Sequence, residues 1–170
     1  MTYNVNIDTL SQDINDEVRS AILTRITKYD FPYVSTIPNK VALRDVFKDH
    51  FENKRSLAWL EGQLSRLITS KRGITPTART ETNRLHTGGL ADVLILKGET
   101  KCTTVHSYGM TGMSPKCQNN IDGKTLDIKA ILVDSFPKSI ADLNKDVPMI
   151  PQHVSCRHVM APLNDKILNN

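Results

Sequence analysis

Apolar residues recur at three- and four-residue steps through the first part of the chain, and this spacing constrains the fold more than any other feature of the sequence. Ile7, Leu10, Ile14, Val18, Ile22, Ile26 and Tyr29 would share one face of a helix. Asp8 or Ser11 can cap its start, and Asp13, Asp16 and Glu17 lie toward the positive end of its dipole. Asp30-Phe31-Pro32 ends it, and the prolines at 32 and 38 predict an extended connection from Phe31 to Pro38. A second helical region is predicted from about Asn39 to Arg72, with a break near Asn53. Val41, Leu43, Val46, Phe47 and Phe51 make its first apolar set, and Leu57, Leu60, Leu64, Leu67 and Ile68 its second. Gly73 is expected to cap its C-terminal end. Trp59 lies off the Leu57-Leu60-Leu64 line, on an edge suited to covering the core or meeting a partner helix.

Past Gly73 the pattern changes. Thr75-Pro76 reads as a helix start, with the threonine as cap and the proline at the first helical position. This helix would carry Ala78, Thr82 and Leu85 and, beyond a weak point at Gly88-Gly89, Leu90, Val93 and Leu94. After Gly98 short β-type runs follow: Cys102 to His106, Thr125 to Ile128, Ala130 to Val133 and Cys156 to Met160. The expected class is α+β, with a helical region over residues 1–73 and, over 74–170, a module made of one helix and a small, loop-rich β unit.

Composition narrows the function classes. With 39% hydrophobic and 24% charged residues the chain is neither disordered nor fibrous. Its 22 basic and 18 acidic residues leave +4, and the excess is spread evenly: residues 1–73 and 74–170 each hold 11 basic and 9 acidic side chains. Phosphate binding needs a clustered field, so charge alone points no further than solubility. The local group Lys71, Arg72, Arg79 and Arg84 around Gly73 could touch nucleic-acid phosphates, although a solvated helix end is the plainer reading. No apolar run reaches the length of a membrane span, and the first residues show neither a basic leader nor an apolar stretch, so neither a membrane helix nor a secretory signal is expected. Three cysteines, an odd count, argue against a disulfide framework and for thiols, metal ligands or buried small residues.

The cysteines and histidines near positions 117 and 155 carry the sharpest chemistry. His153 and Cys156 are three apart, close enough to reach one ion from a tight turn, and Cys117 could join them in a tetrahedral zinc site. Short strands joined by long loops bury little, and a metal staple would suit them. A closed site needs four ligands. His158, His106 or Cys102 could supply the fourth; His158 is nearest in sequence and, two residues from Cys156, would share its face of a strand.

The segment Ala78-Arg79-Thr80-Glu81-Thr82, then Ser114-Pro115-Lys116-Cys117, Asp122-Gly123-Lys124 and finally Pro151 to His158 resembles, in that order, the C-terminal module of MuF-type head-morphogenesis proteins. That family has an A-R-T-E-T helix start, a C-P-x-C turn, a D-G-K step and a late P-x-H-P-x-C-R-C segment. The resemblance spans about residues 75–162. Ser114 stands where the family has the first cysteine of its pair, Val154 replaces a proline and His158 replaces the last cysteine. Carried over position by position, Cys117, His153 and Cys156 are the metal candidates, with His158 in place of the lost cysteine. The resemblance implies a non-enzymatic minor head protein of a tailed phage, made in the host cytoplasm, placed at the portal vertex of the virion head and in contact with the portal protein and with packaged DNA. The competing reading is a small zinc-dependent nuclease or DNA-binding protein. A thiol enzyme using Cys117 or Cys156 with His153 or His106 has no recognisable acid or oxyanion partner in the sequence. For Glu81 a position early in its helix, near the positive dipole end, gives a structural role.

Overall fold

The computed structural model describes residues 5–31, 34, 39–69, 73–107, 112–135, 150–152 and 156–168. Among these the chain is α+β, as its sequence predicts. The helices are α1 (Leu10–Asp13), α2 (Asp16–Ile26), α3 (Lys40–Glu52), α4 (Leu57–Leu67), α5 (Ile74–Leu96), α6 (Pro115–Asn120) and α7 (Ile128–Ser135). The strands β1 (Lys101–His106), β2 (Leu126–Asp127) and β3 (His158–Pro162) form one antiparallel sheet in the order β2-β1-β3. A 3-10 turn over Asp165–Leu168 follows.

The first helical stripe is buried as expected, but the helix carrying it is broken. Ile14 is extended, and the Asn15 side chain accepts from the Val18 N–H to start α2 afresh. The break leaves carbonyls that a continuous helix would bond internally, and Arg19 collects them. Its buried guanidinium donates to the Ser11 carbonyl at 2.6 Å, to Ile14 at 2.9 Å and to Phe51 of α3 at 2.5 Å. Neither expected cap serves α1: Asp8 bonds Arg79, and the Ser11 hydroxyl donates to the Arg55 carbonyl. The break between α3 and α4 falls where predicted, with Ser56 capping the Trp59 N–H.

Gly73 acts at the opposite end from the one expected. At φ +90° it opens α5 while Ile68, extended, closes α4. Ile74 is the first helical residue, so Thr75 is not the cap. Pro76 sits within the first turn, where a missing N–H costs no helical bond. The expected strand over Ala130 to Val133 is helix α7 instead. The Asp127 carboxylate accepts from the Ala130 N–H and starts a helix that buries Ile128 and Ile131, three residues apart. Thr125 to Ile128 contributes only the two residues of β2, and the strand expected from Cys156 begins at His158.

Helix α5 passes through Gly88-Gly89 unbroken and lies in the middle of the protein. One hydrophobic cluster runs from Val5 to Met160, so the helices before Gly73 and the unit after it share a core. A Cβ on Gly89 would fall 3.0 Å from the Ile22 backbone nitrogen and overlap Ile22 Cγ1, so α2 and α5 touch nearly backbone to backbone there. Beside this contact Arg25 clamps Asp92 through two bonds of 2.5 and 2.8 Å. Buried polar groups add further ties. The Ile7 N–H donates to Ser107 Oγ at 2.7 Å, and Tyr29 Oη donates to Glu81 at 2.5 Å while accepting from Arg84 Nε at 2.9 Å. Glu81, fully buried and well inside α5, is therefore held by this pairing and not by the helix dipole.

Two outcomes follow. Gly89→Ala is expected to destabilise the fold by about 1–3 kcal/mol, the usual cost of overpacking. Gly62→Ala in α4, with nothing within 4 Å of the added carbon, should raise stability by up to about 1 kcal/mol; equal urea midpoints for the two variants would disprove the close contact. His50 is buried between Phe47 and Phe51 with neither ring nitrogen in hydrogen-bonding geometry. Burial lowers its pKa from 6.5 to about 4, against the smaller opposite pull of the Arg55 backbone and Asp49. Only the neutral ring suits the folded state, so its contribution is intact above pH 6.5 and is lost as pH falls from 6.5 toward 4. Burial lowers His86 to about 3, adding to the same acid loss. His50→Leu should flatten the fall in unfolding free energy across that window, by at most about 3 kcal/mol at its acid end.

Candidate metal centre

Three segments far apart in sequence supply the centre. Ser114 caps α6 by accepting from the Lys116 N–H, and Pro115 takes the first helical position. This capping sets Cys117 in the first turn of α6. At the far end of the helix the Cys117 carbonyl accepts the N–H groups of both Ile121 and Asp122, at 2.9 Å each, and the chain then turns through Gly123 at φ +62°. Thr104 of β1 pins this turn by donating to the Ile121 carbonyl. From the other side, β3 pairs with β1 so that His158 lies opposite His106, and Asn83 of α5 donates to the His158 carbonyl at 2.8 Å.

Cys117 Sγ and Cys156 Sγ lie 3.5 Å apart, and with His158 they form a buried group whose donor atoms are all within 4.8 Å of one another. Cys156 is 2% and His158 1% exposed. The sulfurs are thiols, their separation being well beyond the ~2.05 Å of a disulfide. The bond from the Cys117 thiol holds Cys156 well below the ordinary thiol range; burial opposes it, and the His158 ring and the backbone N–H groups of Gln152 and His158 reinforce it. The same contact with Cys156, then burial, pushes Cys117 up. For His158 burial acts downward, but the neighbouring Cys156 sulfur and the bonded Asp122 carboxylate outweigh it and raise the pKa. Two buried sulfurs in contact beside an imidazole are a donor set that fits a thiolate-preferring metal.

The structure brings together three of the four expected ligands. The fourth, His153, lies outside the described residues. Cys102 sits in β1 opposite Leu126 and Pro162, apart from the group, with its thiol pushed by burial to about 12. His106 lies edge-on to His158 at 5.1 Å between ring centres, with Nε2 beside the Gly112 carbonyl, and is not part of the group either. Ser114 spends its hydroxyl on the helix cap, accepting from the Lys116 N–H at the start of α6. Of the basic residues read as phosphate contacts, Lys71 and Arg72 lie outside the described residues. Arg79 is held by Asp8 through bonds of 2.6 and 2.7 Å. Arg84 needs correction: it is 1% exposed inside the core and has no surface to offer a phosphate.

Sequence reasoning missed Asp122 as a partner of His158, at 2.9 Å from Nε2. The acidic residue before a glycine turn was visible, but its target lies 36 positions away. With this geometry in place, comparison with protein-family models, curated proteins and solved structures gives no match.

Native mass spectrometry of chain purified without chelators should show one metal ion per chain. Cys156→Ser and His158→Ala should each abolish it while far-ultraviolet circular dichroism still shows a folded chain. Metal retained at full stoichiometry by both variants would place the ion elsewhere.

Proposed function

We propose that this chain is a structural minor head protein of a tailed phage, similar to the MuF family, whose C-terminal module is stapled by zinc. The observation that carries the reading is the meeting of the two motif cysteines, 39 positions apart, at 3.5 Å with His158 beside them. Motifs that match the family in order are expected to share one site, and widely separated sulfurs would have removed the basis for the resemblance.

Two thiolates and an imidazole are soft and borderline donors, which favours zinc over magnesium or calcium. Cys117, Cys156 and His158 would hold the ion, and what it supplies is cross-linking of α6 to the start of β3. Burial of all three side chains supports a closed structural site, because a catalytic zinc must keep a position open to substrate. The proposed place is the portal vertex of the virion head, beside the portal protein and the packaged genome. Surfaces for docking exist on the helical side: Val41 of α3 is exposed, and Trp59 of α4 is half-buried with the Arg55 guanidinium 5.5 Å from its ring centre. Among the described residues no helix is long and apolar enough to cross a membrane.

Co-expression with the portal protein of the same phage should yield a complex that survives gel filtration, and the purified chain should leave duplex DNA intact in magnesium or manganese. Cleavage that disappears in a folded His153→Ala variant would instead establish the zinc-dependent nuclease.

A further inference from the structure

We propose that Asp122 is the positioning residue of the metal centre, holding His158 through Nε2 so that Nδ1 becomes the metal ligand. This inference rests on the metal reading above and names a group that the cysteine and histidine motifs do not include. Asp122 Oδ1 lies 2.9 Å from His158 Nε2. An ionised carboxylate can only accept, so Nε2 carries the proton and the lone pair of the neutral ring is on Nδ1. That Nδ1 is buried and has no hydrogen-bond partner. A bare buried acceptor is costly, and a metal ion would satisfy it.

One further fact favours Nδ1 as the nitrogen that meets the sulfurs. The Asp122 carboxylate stands outside the group of mutually close donor atoms, as expected if it bonds the far nitrogen. Asp122 is also tied to a second ligand, because its own N–H donates to the Cys117 carbonyl at 2.9 Å. One short turn therefore sets the Cys117 sulfur and the orientation of the His158 ring together. A histidine whose remote nitrogen is held by a carboxylate binds metal in a fixed tautomer and with greater basicity. The opposing reading is an ordinary histidine–carboxylate bond that steadies the turn; such a bond would affect the stability of the metal-free fold but not its affinity for metal.

The test uses the full chain with cobalt(II) as the probe, titrated against a chromophoric chelator. Asp122→Ala should bind cobalt(II) roughly 10- to 100-fold more weakly than the wild type, and Asp122→Asn, which keeps an acceptor, should fall between. In the zinc-loaded wild type, nitrogen NMR should show His158 with Nε2 protonated and Nδ1 on the metal. Should Asp122→Ala not fold, these wild-type shifts decide the matter alone. Equal cobalt affinities in all three proteins, or Nε2 on the metal, would overturn the role of Asp122 and leave the metal site standing. A wild type that binds neither cobalt nor zinc would overturn both.

Discussion

Helix α5 is buried from Thr77 to Leu94 except for the partly covered Arg79 and Asp92, so its charged side chains have to find partners inside the protein. A buried charge without a partner costs several kcal/mol, which makes the pairings along this helix a condition of the fold. Glu81 and Arg84 meet at the Tyr29 hydroxyl, fixing the end of the first helical segment. Asn83, between them in sequence, fixes the start of β3 through the His158 carbonyl. One turn of helix therefore sets both where the N-terminal helices lie and where the histidine of the candidate centre lies. Gly89 and the Arg25–Asp92 clamp hold the same helix against α2 a few residues later.

The centre depends on that frame. Its two sulfurs lie 39 positions apart, one in α6 and one just before β3, and the packing of α6 and the sheet in the common core brings them to 3.5 Å. At that distance in a buried site both thiols cannot ionise cheaply, because each thiolate would raise the cost of the other. A divalent cation would let both sulfurs ionise and would fill the empty Nδ1 of His158 in the same step. Burial is what the proposed structural site requires of its ligands.

Much of this was legible in the sequence, and the remainder has identifiable physical causes. Helical spacing located α2 to α4 because each buries one face, the proline near its start marked α5, and the paired motifs around Cys117 and Cys156 anticipated the centre. Periodicity says nothing about where a stripe is interrupted, so the restart at Asn15 and the role of Arg19 stayed hidden. The apolar run at Ala130 to Val133 suits a strand or a buried helix equally, and the cap from Asp127 decides it. Gly73 was read from the helix before it, although a glycine at positive φ serves either side of a boundary. Arg84 shows the limit of reading charge as surface: its partner, Tyr29, is 55 positions away, and no local pattern links them.

X-ray absorption at the zinc edge of the zinc-loaded chain tests the central claim most directly. The account predicts a first shell containing two sulfurs at about 2.3 Å and imidazole nitrogen at about 2.0–2.1 Å. A shell of oxygen and nitrogen alone would contradict it.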